Sequence, residues 1–243
     1  MSGRLEGKVA VITGAGRGIG KAIALAYGRE GAAVGCIART EMDIKGTAAQ
    51  IVRGGGRALA IPADVRDRHA IEGAIDETSR EFGGLDIVVI NAGANRDHAP
   101  VETGDPEAWR ETIDTNLIGA YYCARAAIPH MRRRGSGKII TIGSGIGHRG
   151  GPSRSAYACS KAALWMLTRV LAQELAPYNI SVNELVPGPV DTAMNPGGSG
   201  TSTLGASEWL KRPEDVVPLA LFLAEQPDVG PTAQSFSLMR RDT

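Results

Sequence analysis

The amino-acid sequence predicts an α/β protein whose parallel sheet carries helices on both faces. Three observations predict it. Short apolar runs alternate with longer helical patterns from Lys8 onward. That alternation is expected of strands buried on both faces and joined by crossover helices. The first run passes directly into a glycine-rich turn and then a helix, and no Pro/Gly/Ser-rich linker divides the chain before Gly197, so residues 1–243 read as one domain.

Strands are expected at 9–13, 33–38, 58–62, 87–91, 138–143 and 181–186, with a last one near 235–238. Helices fall between them at about 18–30, 41–53, 67–82, 106–134, 153–176 and 213–224. Pro106 after Asp105, and Pro213 before Glu214, suit first helical turns, where a missing N–H costs nothing. Pro187-Gly188-Pro189 ends the sixth strand. The helix at 153–176 carries a stripe of Leu164, Leu167, Leu171 and Leu175 for the sheet, but Trp165, Met166 and Val170 fall outside it. A helix apolar nearly all round is covered on two sides. The cover is expected to be a second subunit, with an insertion of the same chain as the alternative. The glycine- and serine-rich tract at 194–207 reads as a mobile lid, with a plain surface loop as the alternative, within a substrate segment at about 191–212.

Charge excludes some functions. The 27 Lys and Arg nearly balance the 26 Asp and Glu, for a net charge of +1, so there is no field to gather nucleic acid. Arg132, Arg133 and Arg134 form the one basic run, and Gly135 follows as a helix C-cap. Cys36, Cys123 and Cys159 are odd in number and lack metal-ligand spacing, so no metal is expected. The N-terminus shows no apolar signal core, and no run approaches the ~18 apolar residues of a membrane span. A cytoplasmic setting is the expectation.

The chemistry concentrates in three places. Thr13-Gly14-Ala15-Gly16-Arg17-Gly18-Ile19-Gly20 fits T-G-x-x-x-G-x-G and not G-x-G-x-x-G. Glycines of this kind let backbone N–H groups and a helix N-terminus approach a pyrophosphate. In dinucleotide folds an acid at the tip of the second strand holds the ribose 2′-hydroxyl of NAD. Here that strand ends Ile37-Ala38-Arg39-Thr40, and Arg39, with Arg17, suits a 2′-phosphate instead. NADP(H) is therefore favoured over NAD(H). Finally, Tyr157 and Lys161 lie one helical turn apart on one face. A free phenol has a pKa of about 10 and catalyses poorly at neutral pH. A neighbouring ammonium is expected to bring it down, and a pKa near neutrality would ask for about 4 kcal/mol of preferential stabilisation of the phenolate.

Together these residues resemble the classical short-chain dehydrogenase/reductase family, over about residues 7–238. The matches are the glycine loop, Asp64-Val65, Asn91-Ala92-Gly93, Asn116, Ser144, Tyr157, Lys161, and Pro187-Gly188 with Thr192. The resemblance implies a doubly wound, seven-stranded, Rossmann-like sheet and hydride transfer between an alcohol and a carbonyl with NAD(P). It implies Tyr157 as general acid/base, Lys161 as the group that lowers the Tyr157 pKa and binds ribose hydroxyls, and Ser144 as a hydrogen-bond partner of the substrate oxygen. Asn116 would anchor a water leading from Lys161, with a core amide bonded to backbone as the other reading. Gly14, Gly18, Ile19 and Gly20 would cradle the cofactor, Asp64 with Val65 would meet its adenine, Asn91, Ala92 and Gly93 would steady it, and Pro187, Gly188, Val190 and Thr192 would hold its carboxamide end.

The chain departs from the family's pattern at Ile90, at Glu184 and in a C-terminus without glycines. Glu184, if it faces inward, is a buried carboxylate needing a partner. Substrate contacts are expected from Asn95, His98, Ile146, His148, Arg149, Arg154, Met194 and Trp209, a set that suits a polar or anionic small molecule; a solvated loop position is the other reading of His148. Overall similarity is to 3-oxoacyl-carrier-protein reductases, whose acidic partner Arg132, Arg133 and Arg134 could meet; those enzymes usually carry a basic residue where Tyr178 stands. A general ketone, sugar or polyol reductase is favoured. A non-catalytic NADP-binding sensor is the alternative from another class. A homodimer or homotetramer is expected.

Overall fold

The computed structural model describes residues 3–195 and 209–239. Beyond Asn195, the predicted loop at 194–207 lies outside the described residues. Seven strands form one parallel sheet: β1 (Val9–Thr13), β2 (Ala33–Ala38), β3 (Arg57–Pro62), β4 (Ile87–Ile90), β5 (Gly137–Ile142), β6 (Ile180–Val186) and β7 (Ser235–Ser237). Their order is β3-β2-β1-β4-β5-β6-β7, and every neighbouring pair is parallel. The doubly wound expectation holds.

The apolar strands alternate between two cores. Val9 and Val11 of β1, Val88 and Ile90 of β4, and Ile139 of β5 face one cluster. Ala10 and Ile12, Ile87 and Val89, and Ile140 face the other. On the first face pack α3 (Arg68–Phe82), α5 (Gly119–Arg134) and α7 (Ser155–Leu175), through Ile71, Met131, Leu164, Leu171 and Leu175 among others. On the second face lie α1 (Gly18–Arg29), α2 (Glu41–Arg53) and α8 (Val217–Ala224), through Ile23, Tyr27, Ile51 and Leu221 among others. The Tyr27 hydroxyl, fully buried, donates to the Ala220 carbonyl at 2.7 Å.

Local signals set the helix ends. Asp67 caps α3 by accepting from the His69 and Ala70 amides, and Gly83 closes it in the left-handed region. Asp105 caps α4 (Pro106–Ile113), with Pro106 in its first turn. The predicted single helix at 106–134 is continuous in dihedrals but contains a π-helical turn, Asp114–Ile118, between α4 and α5. A single-turn helix, α6 (Gly145–Arg149), follows β5 and has no counterpart in the expected elements.

Candidate active site

Chain order reverses between β1 and β4: β1 is followed outward by β2 and β3, whereas β4 opens the other half of the sheet. Ligands of such sheets bind beyond the carboxyl ends of the strands at this point. Here the two strand ends are clamped together. The Asn91 and Ala92 amides each donate to Thr13 Oγ1 at 3.0 Å, and Asn91 Nδ2 donates to the Thr13 carbonyl at 2.8 Å.

The glycine loop crosses this clamp with no room for side chains. Gly14 has φ +67°, and a Cβ there would lie 2.7 Å from Asn91 Nδ2. A Cβ on Gly20 would lie 2.4 Å from both Asn91 Nδ2 and the Gly14 carbonyl oxygen. The N-terminus of α1 is thereby drawn against β1, and no side chain caps it. Its N–H groups face a cleft of about 970 Å³. A cradle that excludes a Cβ and ends in an uncapped helix N-terminus fits a pyrophosphate.

Of the residues expected to hold a cofactor, Gly14, Arg17, Gly18, Ile19, Arg39, Asp64, Val65, Asn91, Ala92, Gly93, Pro187, Gly188, Val190 and Thr192 line the cleft. Gly20 does not; it works from behind, as packing. Arg39 projects from the tip of β2 with its side chain 52% exposed, 4.0 Å from Asp64. Burial works against the Asp64 carboxylate, but hydrogen bonds from Arg66 and the charge of Arg39 outweigh it, and its pKa falls below the ordinary value.

At the far end of the cleft stand Ser144, Tyr157 and Lys161. Ser144 leaves β5 in extended conformation at the N-cap of α6, and Tyr157 and Lys161 come from the first turns of α7. Lys161 Nζ is 5.7 Å from the Tyr157 ring centroid, so the one-turn spacing does bring the two together. The ammonium donates to the Ile142 carbonyl at 2.6 Å. Burial draws the Lys161 pKa down to about 8, opposed by the charge of Glu184.

Two expectations need correction. The Tyr157 pKa is raised, not lowered: burial outweighs the hydrogen bond from Ser144 and the charge of Arg154. Lys161 commits one of its three N–H donors to the Ile142 carbonyl. Asn116, in the π turn, is 1% exposed and off the cleft wall. Its Oδ1 accepts from the Ala94 amide at 2.7 Å, and its Nδ2 donates to the Ala94 carbonyl at 2.8 Å and to Ser160 Oγ at 2.9 Å. Both side-chain donors are used within the protein, as the core-amide reading expects.

Of the expected substrate contacts, Asn95, His98, Ile146, Arg149, Arg154 and Met194 line the cleft. His148 and Trp209 do not. His148 turns to the buried Glu184, with Nε2 and Oε2 2.9 Å apart, and its ring lies 5.7 Å from that of Trp165. Its side chain remains 36% exposed, so the solvated reading holds in part, with Glu184 as the partner it adds. Trp209 is half exposed, with Lys211 Nζ 4.8 Å from its ring centroid. Sequence reasoning missed Thr115, Asp191 and Met239 on the wall; none sits in a motif, and only the fold brings them there. Among the described residues no cluster of His, Cys, Asp and Glu could hold a metal, and no helix is long and apolar enough to cross a membrane.

A dinucleotide cradle that opens onto a half-buried phenol and hydroxyl and a buried ammonium defines an oxidoreductase of the nicotinamide-dependent class. The family described as short chain dehydrogenase matches residues 8–199, and the chain belongs to it. Short-chain reductase protein NovJ of Streptomyces niveus is 39% identical over 91% of this chain and 88% of that one. The cis-4-hydroxycyclohexanecarboxylate dehydrogenase of Sinomonas cyclohexanicum is 37% identical over 89% of each. A 3-oxoacyl-[acyl-carrier-protein] reductase of Thermotoga maritima is 34% identical over 95% of this chain and 96% of that one. Carveol dehydrogenase from Mycobacterium avium in complex with NAD superposes with a TM-score of 0.92 at 28% identity, covering 97% of both chains. A short chain dehydrogenase from Burkholderia cenocepacia in complex with NADP does so with 0.88 at 32%, covering 96% of this chain and 97% of that one. The protein is therefore an enzyme acting between CH–OH and carbonyl groups with NAD(P).

Proposed function

We propose that this enzyme interconverts a polar or anionic ketone and its secondary alcohol with NADP(H), using Tyr157 as general acid/base. The convergence of Ser144, Tyr157 and Lys161 at one end of the cleft carries the reading. NADP(H), held along the glycine loop, supplies or accepts the hydride. In reduction, Tyr157 gives its phenolic proton to the carbonyl oxygen while Ser144 donates a hydrogen bond to the same oxygen, offsetting the negative charge that develops there. The raised Tyr157 pKa keeps the phenol protonated for that step, and Lys161, charged below about pH 8, favours its release. Reduction is therefore expected to fall as pH rises through the titration of Lys161 and Tyr157.

NADP(H) is favoured because Arg39 and Arg17 stand on the cleft wall and no carboxylate occupies the tip of β2. Arg39→Asp is expected to reverse the ratio of kcat/KM for NADPH over NADH by about 100-fold or more, the worth of one charge-assisted contact exchanged for a repulsion. Unchanged selectivity in steady-state kinetics would point to another determinant.

Arg149, Arg154 and His98 on the wall favour an anionic or polar substrate. The acyl-carrier reading relies on Arg132, Arg133 and Arg134, and all three are engaged. Arg132 lies over the Tyr178 ring at 4.0 Å, Arg133 contacts His130 at 2.8 Å, and Arg134 donates to Asp86 at 2.6 Å. Small keto acids, cyclic ketones, sugars and ketoacyl thioesters, tested with both cofactors, separate the classes. Turnover of thioesters alone would reverse the preference.

Met166 and Val170 are 52% and 41% exposed beside the buried leucine stripe of α7. In this reading a second copy of the chain covers them. Met166→Glu is expected to lower the mass measured by sedimentation, and an unchanged mass would place the contact elsewhere.

A further inference from the structure

We propose that Glu184, held by His148 and Ser235, is a positioning residue that sets the charge of Lys161 and, through it, the proton affinity of Tyr157. The inference rests on the roles given to Tyr157 and Lys161 above. Glu184 is 0% exposed in the middle of a parallel sheet. A carboxylate there is costly unless its charge serves a partner. One oxygen, Oε2, accepts from Ser235 Oγ at 2.5 Å and meets His148 Nε2 at 2.9 Å. The other, Oε1, is buried without a hydrogen-bond partner.

That oxygen is pressed against the end of β5. A Cβ on Gly143 would lie 2.0 Å from Glu184 Oε1, while the preceding carbonyl, of Ile142, accepts from Lys161 Nζ. Carboxylate and ammonium thus flank two consecutive residues of one strand end. The contact between α6 and α7 is equally close: a Cβ on Gly147 would lie 2.7 Å from Lys161 Cβ. His148 therefore ties α6, which begins at Ser144, to the same carboxylate that faces Lys161. The negative charge of Glu184 opposes the loss of the Lys161 proton that burial promotes.

The charged and titratable groups around this pair come from every neighbouring element. From α7 come Tyr157, Lys161 and, at its cap, Arg154; from α6 come His148 and Arg149. Lys211 approaches the end of β6 at Gly188, β7 contributes only the neutral Ser235, and Lys138 sits at the opposite end of β5.

The test is the pH profile of carbonyl reduction, paired with ultraviolet difference titration of the tyrosinate in the cofactor-free protein, using Tyr157→Phe as the blank. Glu184→Gln removes a negative charge, and His148→Arg sets a permanent positive charge against it at a partly exposed position. Each is expected to move the alkaline limb of the profile to lower pH by about one unit. The tyrosinate titration should move to higher pH, because a Lys161 that loses its proton earlier no longer favours the phenolate. His148→Gln, which keeps a donor for Glu184 and adds no charge, should leave the limb in place. If Glu184→Gln does not fold, the two His148 variants decide the matter between them. Limbs unmoved in folded Glu184→Gln or His148→Arg would overturn the proposal, even where the rate falls. Retained turnover in Tyr157→Phe would instead refute the underlying assignment.

Discussion

Tyr157→Phe is expected to lower kcat/KM for carbonyl reduction by about 10²–10⁴-fold, the range a positioned general acid contributes. The ring stays, so the packing of the first turns of α7 survives; what is lost is the phenolic hydroxyl that Ser144 hydrogen-bonds, on the ring beside Lys161. Affinity for NADPH, measured by fluorescence titration, should remain near that of the wild type, because the glycine loop and Arg39 are untouched. The loss should fall on kcat more than on KM, since the proton is needed in the transition state. A variant that turned over at a tenth of the wild-type rate would require another acid.

Gly20→Ala should damage stability and cofactor binding together. The added methyl meets the Gly14 carbonyl oxygen and Asn91 Nδ2, each at 2.4 Å, and neither is the yielding end of a flexible side chain. Overpacking of this kind costs about 3 kcal/mol, a fall of about 6–12 °C in Tm for a chain this long. Because α1 must back away from β1, the cradle opens too, and NADPH binding should weaken with stability. Gly46→Ala provides the contrast. Gly46 lies inside α2 and is exposed, and a Cβ there meets nothing within 4 Å. Alanine there should raise stability by about 0.5–1 kcal/mol. Equal Tm values for the two variants would refute the packing account of the loop.

Much of this architecture was legible in the sequence because a parallel sheet buries both faces of its strands. Runs such as Val9–Thr13 and Ala33–Ala38 therefore stand out without any partner being known, and both begin and end where expected. Cap chemistry did the same for α4, through Pro106 after Asp105. The π turn at Asp114–Ile118 carries no comparable signal, since its residues keep helical dihedrals and only the hydrogen-bond register changes. The single turn α6 is too short for a periodic pattern.

At the site, spacing was enough to pair Tyr157 with Lys161, because i and i+4 share a helix face whatever the fold. Spacing could not supply the electrostatics. The direction in which the Tyr157 pKa moves depends on burial, and that is a property of the whole cleft. Glu184 was visible as an inward carboxylate needing a partner, but His148 and Ser235 are 36 and 51 residues away in sequence, and only the β6–β7 pairing and the α6 turn bring them together.

The reaction proposed for this cleft passes a hydride between a nicotinamide and a substrate carbon while Tyr157 moves the proton. NADPH carrying deuterium at the transferable position, incubated with the enzyme and a ketone it turns over, tests this directly by mass spectrometry and NMR of the product. Deuterium is expected on the new carbinol carbon with the wild-type enzyme, and no labelled alcohol above background with Tyr157→Phe. Cofactor oxidation without deuterium at that carbon, or equal labelling by the variant, would contradict it.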